Sequence, residues 1–147
     1  MEKVKKGRSY TYILKGEPES LALKRSDNLI GWNNSKERKL ITNITLDAQH
    51  NHRPIFTGSV AVDIQFYFQV PKSPRAKRKA EQGDLYPYEP SILLCFHFIE
   101  NSALGIIFRD PITIVSLSCN KLFDEEPRTV ITVTELYEKK GNNPKEG

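Results

Sequence analysis

The amino-acid sequence predicts an α+β fold, a small mixed β-sheet of about four strands with helices packed on one face. Three observations lead there. Between residues 60 and 70, Val60, Val62, Ile64, Phe66, Phe68 and Val70 fall on one side of an extended chain while Asp63, Gln65 and Gln69 fall on the other, the two-residue period of a half-buried strand. Two further segments, 36–48 and 92–104, carry apolar residues at helical spacing. Shorter alternating runs flank them and no internal repeat is present, giving the order strand, helix, strand, short helix, helix, strand, strand.

The first strand covers residues 9–15, where Tyr10, Tyr12 and Leu14 share a side, and it ends at the turn-forming Gly16-Glu17-Pro18. Residues 16–34 include Asp27-Asn28 and Gly31-Trp32-Asn33-Asn34, a composition that predicts a long loop. Ser35 is the candidate cap of a helix starting at Lys36, whose Leu40, Ile41, Ile44 and Ala48 recur at helical spacing until the polar stretch His50-Asn51-His52-Arg53-Pro54. Pro71 closes the strand 60–70. A short exposed helix is expected over 74–82, with Pro74 at its first position and Gly83 after its end. Ser91 is the candidate cap of the helix 92–104, in which Ile92, Phe96, Ile99 and Ala103 form a stripe and Leu93, Leu94, Cys95 and Phe98 make most of the rest apolar too. Such a helix is covered on more than one side, by its own fold or by a partner. Gly105 suits the position after the last turn, and 112–119 and 129–136 read as two strands joined by an acidic loop.

A chain of 147 residues, 38% hydrophobic and 27% charged, fits one domain with one core over 1–147. Residues 1–8 and 138–147 are expected to be flexible. No apolar run is long enough to span a membrane, and none follows Met1-Glu2-Lys3-Val4-Lys5-Lys6-Gly7. Neither a membrane span nor a secretory signal is expected, and the protein is read as soluble and cytoplasmic. Cys95 and Cys119 stand in apolar contexts and read as buried free thiols rather than a disulfide or ligand pair. The net charge of +4 comes from 22 Lys and Arg against 18 Asp and Glu, yet Lys72, Arg75, Lys77, Arg78 and Lys79 fall within eight residues. That cluster points to an anionic partner.

The stretch from Tyr88 to Arg128 carries three segments in a distinctive order. Pro90-Ser91-Ile92-Leu93-Leu94-Cys95-Phe96-His97 opens the apolar helix, Gly105-Ile106-Ile107-Phe108-Arg109-Asp110-Pro111 follows it, and Glu126-Pro127-Arg128-Thr129-Val130-Ile131 introduces the last strand. Upstream stand Tyr12-Ile13-Leu14-Lys15-Gly16-Glu17-Pro18, the strand around Val62-Asp63-Ile64-Gln65-Phe66-Tyr67-Phe68 and the basic segment after Pro71-Lys72-Ser73. Their order and spacing resemble the RusA family of Holliday junction resolvases over most of the chain. The resemblance implies a small homodimer that binds four-way DNA junctions and cuts them with a divalent cation held by aspartates. In that family the helix opens with Pro-Asp-x-Asp-Asn-Leu-x-Lys, and Asp-Asp follows the Gly-Ile-Ile stretch. Matched backward from Gly105 without a gap, Ser91 and Leu93 take the two aspartate positions, Leu94 the asparagine and His97 the lysine. Pro111 takes the second acid of the later pair, which leaves Asp110 as the sole retained acid. Mg²⁺ dehydrates reluctantly and wants several oxygen ligands, so one carboxylate holds it weakly. No cofactor is expected, with Asp110 the metal ligand if any is held.

The resemblance and the basic cluster together lead to a degenerate RusA-like homodimer that binds branched or duplex DNA through Lys72, Arg75, Lys77, Arg78 and Lys79 and does not cleave it. One alternative is an active Mg²⁺-dependent junction endonuclease with rearranged acids, since Asp84, Glu89 and Glu100 lie nearby in sequence. Another is a protein-interaction module on the same fold. Each candidate residue also has a plainer reading. The basic run describes a solvated helix as well as a phosphate contact. His50 and His52 beside Asp47 read as a polar loop, His97 as a core or interface histidine, and Asp110 as a turn residue before proline. Trp32, Tyr86 and Tyr88 could stack on unpaired bases or anchor loops. The apolar helix 92–104 suits a dimer contact or a helix between two layers.

Overall fold

The computed structural model describes residues 4–20, 22–24, 29–31, 34–73 and 80–138. In chain order its elements are β1 (Val4–Lys15), β2 (Ala22–Lys24), β3 (Leu29–Gly31), α1 (Asn34–His50), β4 (Val60–Gln69), α2 (Ile92–Ala103), a 3-10 turn (Pro111–Thr113), β5 (Ile114–Asp124) and β6 (Arg128–Glu138). The main sheet has the order β1, β6, β4, β5. Only the β4 and β5 pair is parallel, so the sheet is mixed, as the sequence predicts. β2 and β3 pair antiparallel in a separate sheet.

The alternation in β4 explains the core. Val60, Val62, Ile64, Phe66 and Phe68 are all at most 4% exposed, and burying a side chain of this size contributes roughly 1.5–3 kcal/mol. Register carries the same face sideways: Ile64 lies opposite Ile131 and Cys119, and Ile131 lies opposite Tyr12. α1 adds Ile44 to this cluster, and α2 adds Cys95, Phe96, Phe98, Ile99 and Ala103. Both helices therefore cover one face of the sheet. On the opposite face, hydroxyls pair across strands, Ser9 with Thr134 at 2.8 Å and Thr11 with Thr132 at 3.2 Å. Cys95 and Cys119 are free, and burial pushes both thiols up to about 11.

α2 follows its prediction closely. Ser91 caps it by accepting from the Leu93 amide at 3.3 Å, and Gly105, at φ 81°, takes the left-handed conformation after the last turn. Its apolar surface is spent mostly inside the fold, leaving Leu93 exposed.

Several expected boundaries shift. β1 begins at Val4 rather than residue 9, because Val4, Lys5 and Lys6 pair with Glu138, Tyr137 and Leu136 although almost nothing there is buried to mark a face. The loop expected over 16–34 contains β2 and β3, each of three residues and too short for a two-residue period to stand out. α1 starts at Asn34, which puts Ser35 within its first turn instead of at its cap. Of the helix expected over 74–82, residues 74–79 lie outside the described residues; Ala80–Gln82 are not helical, and Ala80 is buried against Val70 and Phe123. β5 runs from Ile114 to Asp124 rather than 112–119. Its start is delayed by the 3-10 turn at Pro111, and its end is prolonged by pairing with β4 as far as Gln69.

The link from β5 to β6 passes the end of β4, where Gln69 Nε2 donates to the Glu125 carbonyl at 3.1 Å. Arg128 holds this corner: its Nη1 donates to Asp124 Oδ1 at 3.0 Å and its guanidinium lies 4.1 Å from the Tyr67 ring centroid. At the other end of the sheet, Arg8 joins β1 to β6 through Nε and Nη2, 2.9 and 3.0 Å from the Glu135 carboxylate.

Phe66→Ala is expected to lower the unfolding free energy by about 3–5 kcal/mol, read from urea denaturation; a loss below about 1 kcal/mol would contradict the central place given to β4. The Arg8 side chain holds the Glu135 carboxyl down to about 2 from its ordinary 4.5. A folded value below the unfolded one gives stability that is present above pH 4.5 and is lost as the pH falls toward 2. Unfolding free energies measured across that range should therefore fall, and Arg8→Met should flatten the fall; an unchanged slope would rule out the pairing as its source.

Candidate functional site

The mouth of α2 is built by the segment Tyr86-Pro87-Tyr88-Glu89-Pro90-Ser91. Tyr86 anchors it, with its ring stacked on Phe68 at 4.0 Å, edge-on to Phe123 at 5.0 Å, and its hydroxyl donating to the Glu89 carbonyl at 3.0 Å. Burial raises the Tyr86 phenol above its ordinary value. Tyr86 is thus a loop anchor, whereas Tyr88 is 60% exposed and touches Tyr86 and Phe123 by its edge. The Glu89–Pro90 peptide is cis. Lys121, reaching across from β5, donates through Nζ to the Tyr88 carbonyl at 2.5 Å and the Pro90 carbonyl at 2.6 Å.

The residues singled out from sequence divide into two groups. Ser91 and Leu93 stand at the mouth, with the Ser91 hydroxyl engaged as the helix cap and the Leu93 side chain exposed. His97 lies further along α2 and pairs through Nδ1 with Glu100 Oε1 at 3.0 Å. Asp110 and Pro111 lie beyond the opposite end. Asp110 Oδ1 accepts from the Ile112 amide at 3.0 Å, and its carbonyl accepts from the Thr113 hydroxyl at 2.8 Å, so this acid caps the 3-10 turn. A helix of twelve residues is about 18 Å long. Asp110 precedes the start of β5 at Ile114, whereas the mouth is reached by Lys121, seven residues further along that strand, so Asp110 and the Ser91 and Leu93 positions lie toward opposite ends of it.

The other candidates are dispersed. Asp84 Oδ2 accepts from the Glu81 amide at 2.9 Å, and Glu100 is taken by His97. His50 and His52 are exposed at the end of α1, where Asp47 bonds Asn51 and lies 3.7 Å from Arg53. Among the described residues, no three His, Cys, Asp or Glu side chains come together as a metal site. Lys72 is exposed just after β4, while Arg75, Lys77, Arg78 and Lys79, like Trp32, lie outside the described residues. A cleft of about 260 Å³ opens between the end of β1 and the two helices, floored by Leu14, Leu40, Phe98 and Ile99, and holds none of the predicted site residues. No helix among the described residues is long and apolar enough to cross a membrane.

Lys121 was not singled out from sequence. Its partners are backbone carbonyls more than thirty residues away, and no motif announces such a contact.

A family model described as Endodeoxyribonuclease RusA matches residues 24–134, a span that takes in β4, α2, β5 and most of β6. The chain belongs to the RusA family. The Uncharacterized protein YqaN of Bacillus subtilis (strain 168) is 31% identical over 94 residues, covering 60% of this chain and 66% of that protein. The match thus spans a little under two thirds of the relative's length. On the gap-free match made from the sequence, the carboxylates that the family's cation asks for would fall at Ser91 and Leu93. On that match, a capping hydroxyl, a hydrocarbon side chain and the acid that caps the 3-10 turn do not make such a donor set.

The capping roles are open to direct test. Asp110→Ala and Ser91→Ala are each expected to cost about 1 kcal/mol of stability in EDTA, measured by urea denaturation. Stability unchanged by Asp110→Ala would mean that its carboxylate does not hold the 3-10 turn.

Proposed function

We propose that this RusA-family chain binds branched or duplex DNA, four-way junctions among them, as a homodimer and without cutting it. The observation that carries the reading is the makeup of the α2 mouth. Phosphodiester hydrolysis of the family's kind needs a cation with several oxygen ligands, and Ser91 and Leu93 supply no carboxylate to one. Binding asks for less. Lysine and arginine hold phosphates by releasing condensed counterions, and Lys72, Arg75, Lys77, Arg78 and Lys79 provide five cations directly after β4. In support of a second copy, β5 is an edge of the main sheet, and Ile112, Val115 and Leu117 beside it are exposed. A two-fold dimer also matches the symmetry of a four-way junction.

A native gel of the protein with a labelled four-way junction and a matched duplex, run in EDTA and in parallel with Mg²⁺ or Mn²⁺, is expected to give a junction-selective shift without nicking. Reversing the five charges to glutamate should abolish the shift at equal salt, because each phosphate contact contributes about 0.9 to the slope of log K against log salt. Symmetric cuts in the metal lanes would replace this reading with an active endonuclease. No shift even at low salt would replace it with a protein-interaction module.

A further inference from the structure

Lys121 reaches the entrance to α2, next to the positions matched from sequence to the family's aspartates, and its contacts to carbonyl oxygens are of the kind a bound cation makes. Its ammonium is met by two backbone oxygens, the Tyr88 carbonyl at 2.5 Å and the Pro90 carbonyl at 2.6 Å, with the Tyr86 ring centroid 5.4 Å away. An ammonium has three donors and no acceptor, so two are committed to oxygen. The carbonyl of Pro90 belongs to the peptide unit that leads into Ser91, which places the charge immediately beside the residue matched to the family's first aspartate. The positive end of the α2 dipole points to the same spot. Phe68 and Phe123 fix Tyr86 from behind, and the Tyr86 hydroxyl holds the Glu89 carbonyl, so the oxygens that receive Lys121 sit on a braced loop.

We propose that Lys121 is a tethered cation that closes the α2 mouth to divalent metals, so that restoring the missing carboxylates at Ser91 and Leu93 does not by itself restore metal binding. The inference deepens the non-cleaving reading and rests on it. Like charges in a partly desolvated site repel strongly, and a tethered charge, unlike a solution ion, cannot be displaced into bulk. On this account the chain is separated from a metal-dependent site by an added positive charge as well as by absent negative ones.

The test is Mn²⁺ binding followed by isothermal titration, without DNA, so that its outcome is independent of whether the protein shifts a junction. Ser91→Asp with Leu93→Asp is expected to bind Mn²⁺ no better than the parent. Adding Lys121→Met, which keeps most of the side chain's length and removes its charge, should tighten binding by at least about tenfold, while adding Lys121→Arg should not. Urea denaturation of each variant checks that the fold persists. Two results would overturn the proposal in folded variants: the two acids alone binding as tightly as the combination with Lys121→Met, or that combination binding no better than the acids alone.

Discussion

β4 is hydrogen-bonded along both edges and buried on one face, and that double constraint sets where the other elements can go. Its residues Val60 to Phe68 leave no freedom to slip by one position, because a slip would turn five apolar side chains outward. β6 and β5 inherit their registers from it, and β1 inherits its own from β6. The two helices then meet a surface whose shape is already decided. α2 takes the place nearest β5, and its mouth consequently opens beside the last third of that strand, where Lys121 lies. The chemistry of the mouth thus follows from the pairing of β4, which also supplies Phe68 as the support on which Tyr86 stacks.

On the non-cleaving proposal, the family scaffold and the family chemistry separate in this chain. The fold needs alternating apolar residues in strands, a buried helix and a glycine after it, all of which are present. The chemistry needs carboxylates at solvent-facing positions of the same helix, and these can change without disturbing the core. Leu93 illustrates the point. It sits on the one exposed part of an otherwise buried helix, so hydrocarbon there costs little in folding while removing an oxygen ligand. Ser91 retains the capping role that an aspartate would also fill, which keeps the helix intact when the acid is absent.

How much could be read from the sequence depended on how far each feature carries its own periodicity. β4 was plain because its alternation lasts ten residues, and α2 because an apolar helix sits between a capping serine and a glycine. The first five residues of β1 were hidden because strand pairing there buries neither face. β2 and β3 were hidden by brevity. The separation of Ser91 from Asp110 was hidden, because it depends on which end of β5 each approaches, and the order of motifs along the chain does not carry that. Lys121 was beyond reach, because a lysine in a strand looks the same whether it meets water or two carbonyls contributed by a distant loop.

The edge of β5 has a consequence of a different kind. Residues 114–119 carry their outward amides and carbonyls on a strand whose flanking side chains include Ile112 at 81% and Val115 at 59% exposure. Among the described residues, segment 83–86 shields only the later part of that strand, through contacts to residues 121–123. A strand edge left open over this length is a template for strand addition by an extended chain. A strand added there would satisfy those amides and carbonyls and cover Ile112 and Val115 without any rearrangement of the sheet.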